Sequence, residues 1–297
     1  MSNKPRKMTL EKKHNLTGWA FLAPATFLIA VFSFWPMIKA LVLSFQTGKG
    51  RNMQMAGFTN YIRLFQDDVF IQSIKNTFFY FVLQVPIMLA VALVLACILN
   101  KKDLRFKGFF RTMIFLPCTT SLVAYSIIFR SLFANDGLVN YVLVNFGILD
   151  KPYNFLTQPF AAKMVIILAL LWRWTGYNMV FFLSGLQNIE YSVYEAAKID
   201  GASAIQTFFK ITVPVLKPTI LLTAIMSTNG TLQLFDESIN LTDGGPANAS
   251  ISMSHYIYNL CFKYVPNFGY AAAMSFFILL LVAVLAFIQM RVGDKRD

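Results

Sequence analysis

Charge is scarce in this sequence. Only 13% of the 297 residues are charged, where an ordinary soluble domain carries roughly one quarter. Acidic residues are the scarcer sign, 14 against 26 Lys and Arg. The two histidines, His14 and His255, lie far apart in the chain, which leaves no His-based metal or catalytic cluster, and each reads as a surface residue. The three cysteines, Cys97, Cys118 and Cys261, fall in or beside apolar runs without metal-type spacing, so neither a zinc site nor a disulfide framework is indicated. A Gly-x-x-x-x-Gly-Lys motif is also missing. The one Gly-Lys pair, Gly48-Lys49, has Leu43 where the first glycine of a phosphate-cradling loop would stand. Nucleotide hydrolysis is therefore not expected of this chain, and no enzyme is read in it.

What the sequence has instead is apolar length. Hydrophobic residues make up 57% of it, with 30 phenylalanines that read as packing or lipid-facing positions. A formal charge of +12 could point to nucleic acid. The charges sit between apolar runs, however, and follow the positive-inside bias of membrane proteins, so no nucleic-acid partner is expected. An uncharged stretch between Lys13 and Lys39 places a first span at about Trp19 to Leu43, too long for a cleaved signal segment. Five further windows, 76–100, 112–129, 164–189, 218–235 and 264–290, are free of charge except for Arg173 in the third of them. The expected fold is an all-α membrane protein in the lipid bilayer: a tail over 1–18, six transmembrane helices over 19–291, and a second tail over 292–297. Sixteen of the 26 Lys and Arg fall in the first tail, after Met290, and in the segments around 101–111 and 190–218, which places both termini and those loops on the cytoplasmic side.

One cytoplasmic segment, Tyr191 to Pro218, is too polar for hydrocarbon. Ser192 followed by Glu195 fits a capping box that would start a helix at Val193. Asp200-Gly201 should stop that helix, because glycine takes a left-handed C-cap without steric penalty. Helix-compatible residues resume at Ala202 and run to Pro214 and Pro218, which turn the chain away. The expectation is a helix, an elbow and a second helix, lined with small residues such as Ala196, Ala197, Ala202 and Ala204, on which another protein can settle.

These residues resemble the EAA loop of ABC-importer permeases. Glu195, Ala196, Ala197, Asp200, Gly201, Ala202 and Pro214 stand in the positions of its motif. Two other tracts, GFTNYIRL at Gly57–Leu64 and LTDGGP at Leu241–Pro246, are similar to segments of carbohydrate permeases. The resemblance implies a type I ABC importer permease fold in which residues 190–218 form the coupling loop. It also implies a second homologous permease, two ATP-binding subunits that hold the ATP and Mg, and an extracellular solute-binding protein. The cargo it implies is a carbohydrate of oligosaccharide size. This chain itself would carry no cofactor.

A solute path needs polar groups at mid-membrane depth. Counting ~1.5 Å per residue from the charged flanks puts Gln84, Arg173 and Asn229 near the midplane, with Tyr177 one turn from Arg173 and Gln233 one turn from Asn229. These five are the expected pathway residues, with Trp172 or Trp174 offering a stacking face for sugar rings. No acid is expected at the depth of Arg173, and Asp236, Glu237 and Arg130 read as outer-end residues. The alternative function is an ion-coupled secondary sugar carrier, which would need a coupling site near the midplane, typically a carboxylate or broken-helix carbonyls.

Overall fold

A computed structural model describes residues 9–49, 52–101 and 103–293. The basic residues Lys4, Arg6, Lys7 and Lys102 and the tail positions 294–297, which contribute to the orientation argument, lie outside the described residues. The chain folds into helices α1 (Leu10–Ser44), α2 (Thr59–Leu64), α3 (Asp68–Asn100), α4 (Lys107–Thr119), α5 (Leu122–Leu132) and α6 (Leu138–Asn145). Next come α7 (Pro159–Gln187), α8 (Tyr191–Ile199), α9 (Ala204–Val215), α10 (Lys217–Leu232), α11 (Asp236–Thr242), α12 (Met253–Tyr258) and α13 (Phe268–Gly293). Four of these, α1, α3, α7 and α13, are unbroken and long enough to cross a membrane, and two bent pairs, α4–α5 and α9–α10, complete six.

One bend interrupts an expected span, and the other falls between Pro214 and Pro218, where the sequence expects the chain to turn. The α4–α5 pair turns by 98° between Thr119 and Leu122, inside the window 112–129. Pro117 lies in the last turn before the break and Ser121 caps nothing through its side chain, so continuous helix is lost there. The second pair turns by 70° at Leu216, where the loop segment meets α10. An all-helical reading also misses a small antiparallel hairpin, β1 (Gln46–Lys49) with β2 (Asn52–Met55), paired Gln46 to Met55 and Thr47 to Gln54.

The Asn-Tyr pair of the GFTNYIRL tract has a structural task beside that hairpin. It lies on α2, where the Asn60 Nδ2 donates to the carbonyls of Ser44 at 2.9 Å and Gln46 at 2.8 Å, and the Tyr61 hydroxyl lies 2.7 Å from Ser44 Oγ. Asn60 thus satisfies the Ser44 carbonyl orphaned at the end of α1, and Tyr61 holds the Ser44 side chain. By contrast, the first part of α1, Leu10–Phe34, contributes no buried side chain among the described residues. Only its later part packs, against α13.

The core is built on α3 and α7, the most extensive helix pairing in the molecule. At one end Ala92, Leu93, Ala96 and Leu99 of α3 pack on Met179, Phe182, Leu183 and Leu186 of α7 and on Leu216. Further along, Tyr80 of α3, Tyr125 of α5 and Ile166, Ile167 and Leu170 of α7 close on Leu234 and Leu241. The segment just after the LTDGGP tract is tied to α3. The Asn76 amide donates to the carbonyls of Asn248 and Ile251 at 3.1 and 3.0 Å, and the Tyr80 hydroxyl donates to the Ser250 carbonyl at 3.0 Å. Asp67 performs a similar service at the start of α3. It caps the Val69 and Phe70 N–H groups and accepts the Tyr256 and Tyr270 hydroxyls at 2.7 and 2.8 Å. Burial alone would raise its carboxyl, but these donors together hold it below the usual range.

Candidate functional site

Two features, one at an end of the bundle and one within it, bear on function. The first is the elbow between α8 and α9. Helix α8 ends at Ile199, and Gly201 follows with φ +77°. The Gly201 N–H donates to the Lys198 carbonyl at 3.2 Å and the Ala202 N–H to the Ala197 carbonyl at 2.9 Å, the paired bonds of a Schellman cap. The capping box is not where the sequence placed it. Helix α8 begins two residues earlier than expected, with Glu190 as its unassisted cap, so Ser192 lies inside the first turn and its hydroxyl reaches only the Glu190 carboxylate at 3.3 Å. A complete box forms instead at Ser203 and Gln206, where it starts α9 immediately after the elbow.

The elbow exposes most of the expected residues and some large apolar ones besides. Ala197 is buried inward and Ala202 half-buried, while Glu195, Ala196, Asp200, Gly201, Ala204 and Pro214 are exposed. Beside them stand three large apolar side chains, Ile199 at 86%, Ile205 at 72% and Phe209 at 64% exposure. Three such side chains on a charged loop make a patch suited to contact with another protein. The Tyr194 hydroxyl, 3.3 Å from Thr212 Oγ1, links the two arms.

The second feature is a cavity of about 320 Å³ between α3, α7, α10 and α11. Trp174 and Tyr177 give it an aromatic wall, their rings edge to face at 5.8 Å. Gln84, Asn178, Ser227, Thr231 and Gln233 supply amides and hydroxyls, and Asp236 and Glu237 supply carboxyls. The polar groups are tied together across helices: Thr231 Oγ1 donates to Gln84 Oε1 at 2.8 Å, and Ser227 Oγ to Asn178 Oδ1 at 3.3 Å.

Of the five expected pathway residues, Gln84, Tyr177 and Gln233 line this cavity. Asn229 does not. It faces a separate open groove with Ser254 and Ser275, linked to Gln233 by a short amide contact. Arg173 is not among the lining residues either. Its Nη1 donates to the Thr120 carbonyl at 2.7 Å and contacts Thr120 Oγ1 at 3.2 Å, holding the carbonyls freed by the α4–α5 break. The guanidinium lies over the rings of Tyr125 at 4.8 Å and Trp174 at 5.3 Å. The stacking candidate in the cavity is Trp174; Trp172 is turned to Tyr125 and Phe129.

The acid missing from the sequence reading is Glu237. It is buried, it accepts the hydroxyl hydrogen of Tyr125, and the charge of Arg173 reaches it. Burial pushes its carboxyl up, while the Tyr125 hydrogen bond and Arg173 act the other way. Its position follows from α11 folding back beside α5 and α7, which no local pattern announces. His255 is corrected likewise: it is fully buried, with Nδ1 2.9 Å from Ser238 Oγ.

The family model described as "Binding-protein-dependent transport system inner membrane component" matches residues 77–296. The chain belongs to this family. Among its relatives, the lactose transport system permease protein LacF of Rhizobium radiobacter is 52% identical over 98% of both chains. The multiple sugar-binding transport system permease protein MsmF of Streptococcus mutans is 33% identical over 97% of this chain and 99% of its own. A bacterial alginate ABC transporter, solved with an alginate pentasaccharide-bound periplasmic protein, shares 25% identity and superposes with a TM-score of 0.85 over 98% of both chains. The permease fold and the multi-pass membrane character expected from the sequence are both borne out. The rival reading of an ion-coupled carrier falls, because this permease belongs to the binding-protein-dependent class.

Proposed function

We propose that this permease moves a carbohydrate of oligosaccharide class inward across the cytoplasmic membrane, driven by ATP hydrolysed on separate subunits. The observation that carries the reading is the elbow: a glycine-capped bend presenting Ile199, Ile205 and Phe209 from a charged loop at the end of the bundle away from the cavity-bearing loops. Two ATP-binding subunits, holding ATP and Mg, seat this bend through Glu195, Ala196, Asp200, Gly201, Ala202 and Pro214, with Ala197 anchoring it inward. A second homologous permease completes the membrane unit, and the unpacked first part of α1 offers apolar surface for it. An external solute-binding protein delivers cargo at the end where α11 and α12 lie. Both termini face the cytoplasm.

In this mechanism, closure of the ATP-binding subunits displaces the elbow, and their unequal affinity for ATP in the two states shifts the helices between inward-open and outward-open arrangements. The cavity contributes the wall that sugars need: Trp174 and Tyr177 pack on apolar ring faces, while Gln84, Asn178 and Gln233 pair with hydroxyls. Arg173 acts one layer back, keeping the α4–α5 break in shape.

Gly201→Val tests the reading. No atom lies within 4 Å of an added Cβ at this position, so the substitution strains only the backbone at φ +77° and leaves the bundle undisturbed. The variant accumulates in the membrane at normal levels and loses ATP-driven sugar uptake by about tenfold or more. Normal uptake by the variant contradicts the elbow's role.

A further inference from the structure

The cavity described above has a charge pattern that the fold does not require. Its lining contains two carboxyls, Asp236 and Glu237, and no Lys, Arg or His among the described residues. The nearest cation, Arg173, is held by the Thr120 carbonyl and covered by the rings of Tyr125 and Trp174, so it is not presented to the space where cargo would sit. Asp236 is the half-buried carboxyl that lines this space, while Glu237 lies deeper against the Tyr125 hydroxyl. Everything else that lines it is apolar, aromatic, amide or hydroxyl. The Thr231 and Ser227 hydroxyls are directed at the Gln84 and Asn178 amide oxygens, and no cationic donor lines the space.

From this we infer that Asp236 and Glu237 are specificity-determining residues that restrict the cargo to uncharged sugars and reject sugar acids. The inference rests on the carbohydrate reading and sharpens it. A hexose and the matching uronate differ at one carbon, CH₂OH against carboxylate, so shape alone separates them poorly. A carboxylate entering this cavity meets acceptor-only oxygens and exchanges its hydration for like-charge repulsion, which a partly desolvated site amplifies. A neutral hydroxyl at the same place donates to those oxygens. Discrimination here comes from a repulsive element as much as from attraction. The likeness to the alginate transporter, an importer of an acidic polysaccharide, shows that the fold itself does not dictate the sign of the cargo's charge.

The test uses the assembled transporter, this chain with its permease and ATP-binding partners, in nanodiscs without the external binding protein, so that the cavity alone selects. The probes are lactose and its 6′-carboxylate, in which a galacturonate replaces the galactose. Equilibrium binding of each is measured for the wild type, Asp236→Asn, Asp236→Glu and the double variant Asp236→Asn/Glu237→Gln. The Gln side chain retains an acceptor for the Tyr125 hydroxyl, which keeps the double variant foldable. The wild type prefers lactose by about tenfold or more, as like-charge juxtaposition requires. Asp236→Glu retains that preference, Asp236→Asn reduces it, and the double variant brings the ratio to about threefold or less. Raising the salt to about 0.5 M narrows the wild-type ratio, because screening weakens charge repulsion and leaves shape selection alone. Lactose binding with a ratio that neither the substitutions nor salt alter overturns the inference and leaves the carbohydrate reading standing. Binding of neither sugar to the wild type overturns both.

Discussion

His255 shows how much a single side chain can depend on what folds over it. It sits on α12 with no exposed surface, its Nδ1 against Ser238 Oγ and its Nε2 3.7 Å from an Asp243 carboxylate oxygen. Burial lowers its pKa from 6.5 to about 4, with Asp243 pulling up and Lys263 pushing down. The unfolded segment thus takes up a proton before the folded one does. The stability His255 lends is whole above about pH 6.5, and falls between there and about pH 4 as the neutral ring loses ground to a protonated, opened state. Protection factors over residues 234–260, which are exchange rates corrected for the intrinsic pH dependence of amide exchange, are therefore expected to fall about tenfold or more between pH 7.5 and pH 5, and His255→Gln to remove most of that fall. Protection factors that ignore pH in the wild type contradict this role. Such single residues were the least legible part of the sequence. His255 reads as a surface residue, Arg173 as a cavity residue and Glu237 as an outer-end one, because the direction of a side chain is set by contacts from α5, α7 and α11 that no neighbouring position reveals.

Elements were legible wherever a local rule decides them. Charge-free windows located the membrane-crossing helices, since an apolar run of that length has no other stable home. The end of α8 at Asp200-Gly201 was legible too, because a positive φ demands glycine there. The start of α8 was not: Ser192 can cap only if the helix begins after it, and Glu190 begins it earlier. The turn between α9 and α10 was legible from Pro214 and Pro218. The break in the α4–α5 pair escaped because it depends on outside support: Arg173 supplies it, and Gly176, one turn on, lets α7 approach α4 so closely that an added Cβ would lie 1.9 Å from the Ile114 carbonyl oxygen. Gly176→Ala must push these helices apart and is expected to destabilise the protein by about 2 kcal/mol or more. Thermal unfolding in detergent measures this as a midpoint lowered by several degrees, or as a chain that fails to accumulate. An unchanged midpoint would mean that the two helices are not in contact at this glycine.

At the scale of the molecule, the structure sets a sugar-sized cavity near the end where α11 and α12 pack, and a projecting apolar bend at the other. Nothing in the chain links the two except the helices themselves. A transporter driven by another subunit's chemistry needs such an arrangement: a lever that a partner can move and a cargo wall that moves with it. Fold and family follow from the loop motif and the apolar windows together, while the content of the cavity needed the tertiary structure. The central claim is that the bend faces the cell interior and touches an ATP-hydrolysing protein. Ile199→Cys, at a position 86% exposed, in a variant whose three native cysteines are replaced by serine, tests it directly. The account predicts that this cysteine is shielded from a membrane-impermeant thiol reagent in intact cells, reacts in inside-out vesicles, and cross-links to an ATP-binding subunit in the assembled complex. Labelling from outside, or a complex with ATP-driven uptake in which no cross-link to such a subunit forms, would contradict it.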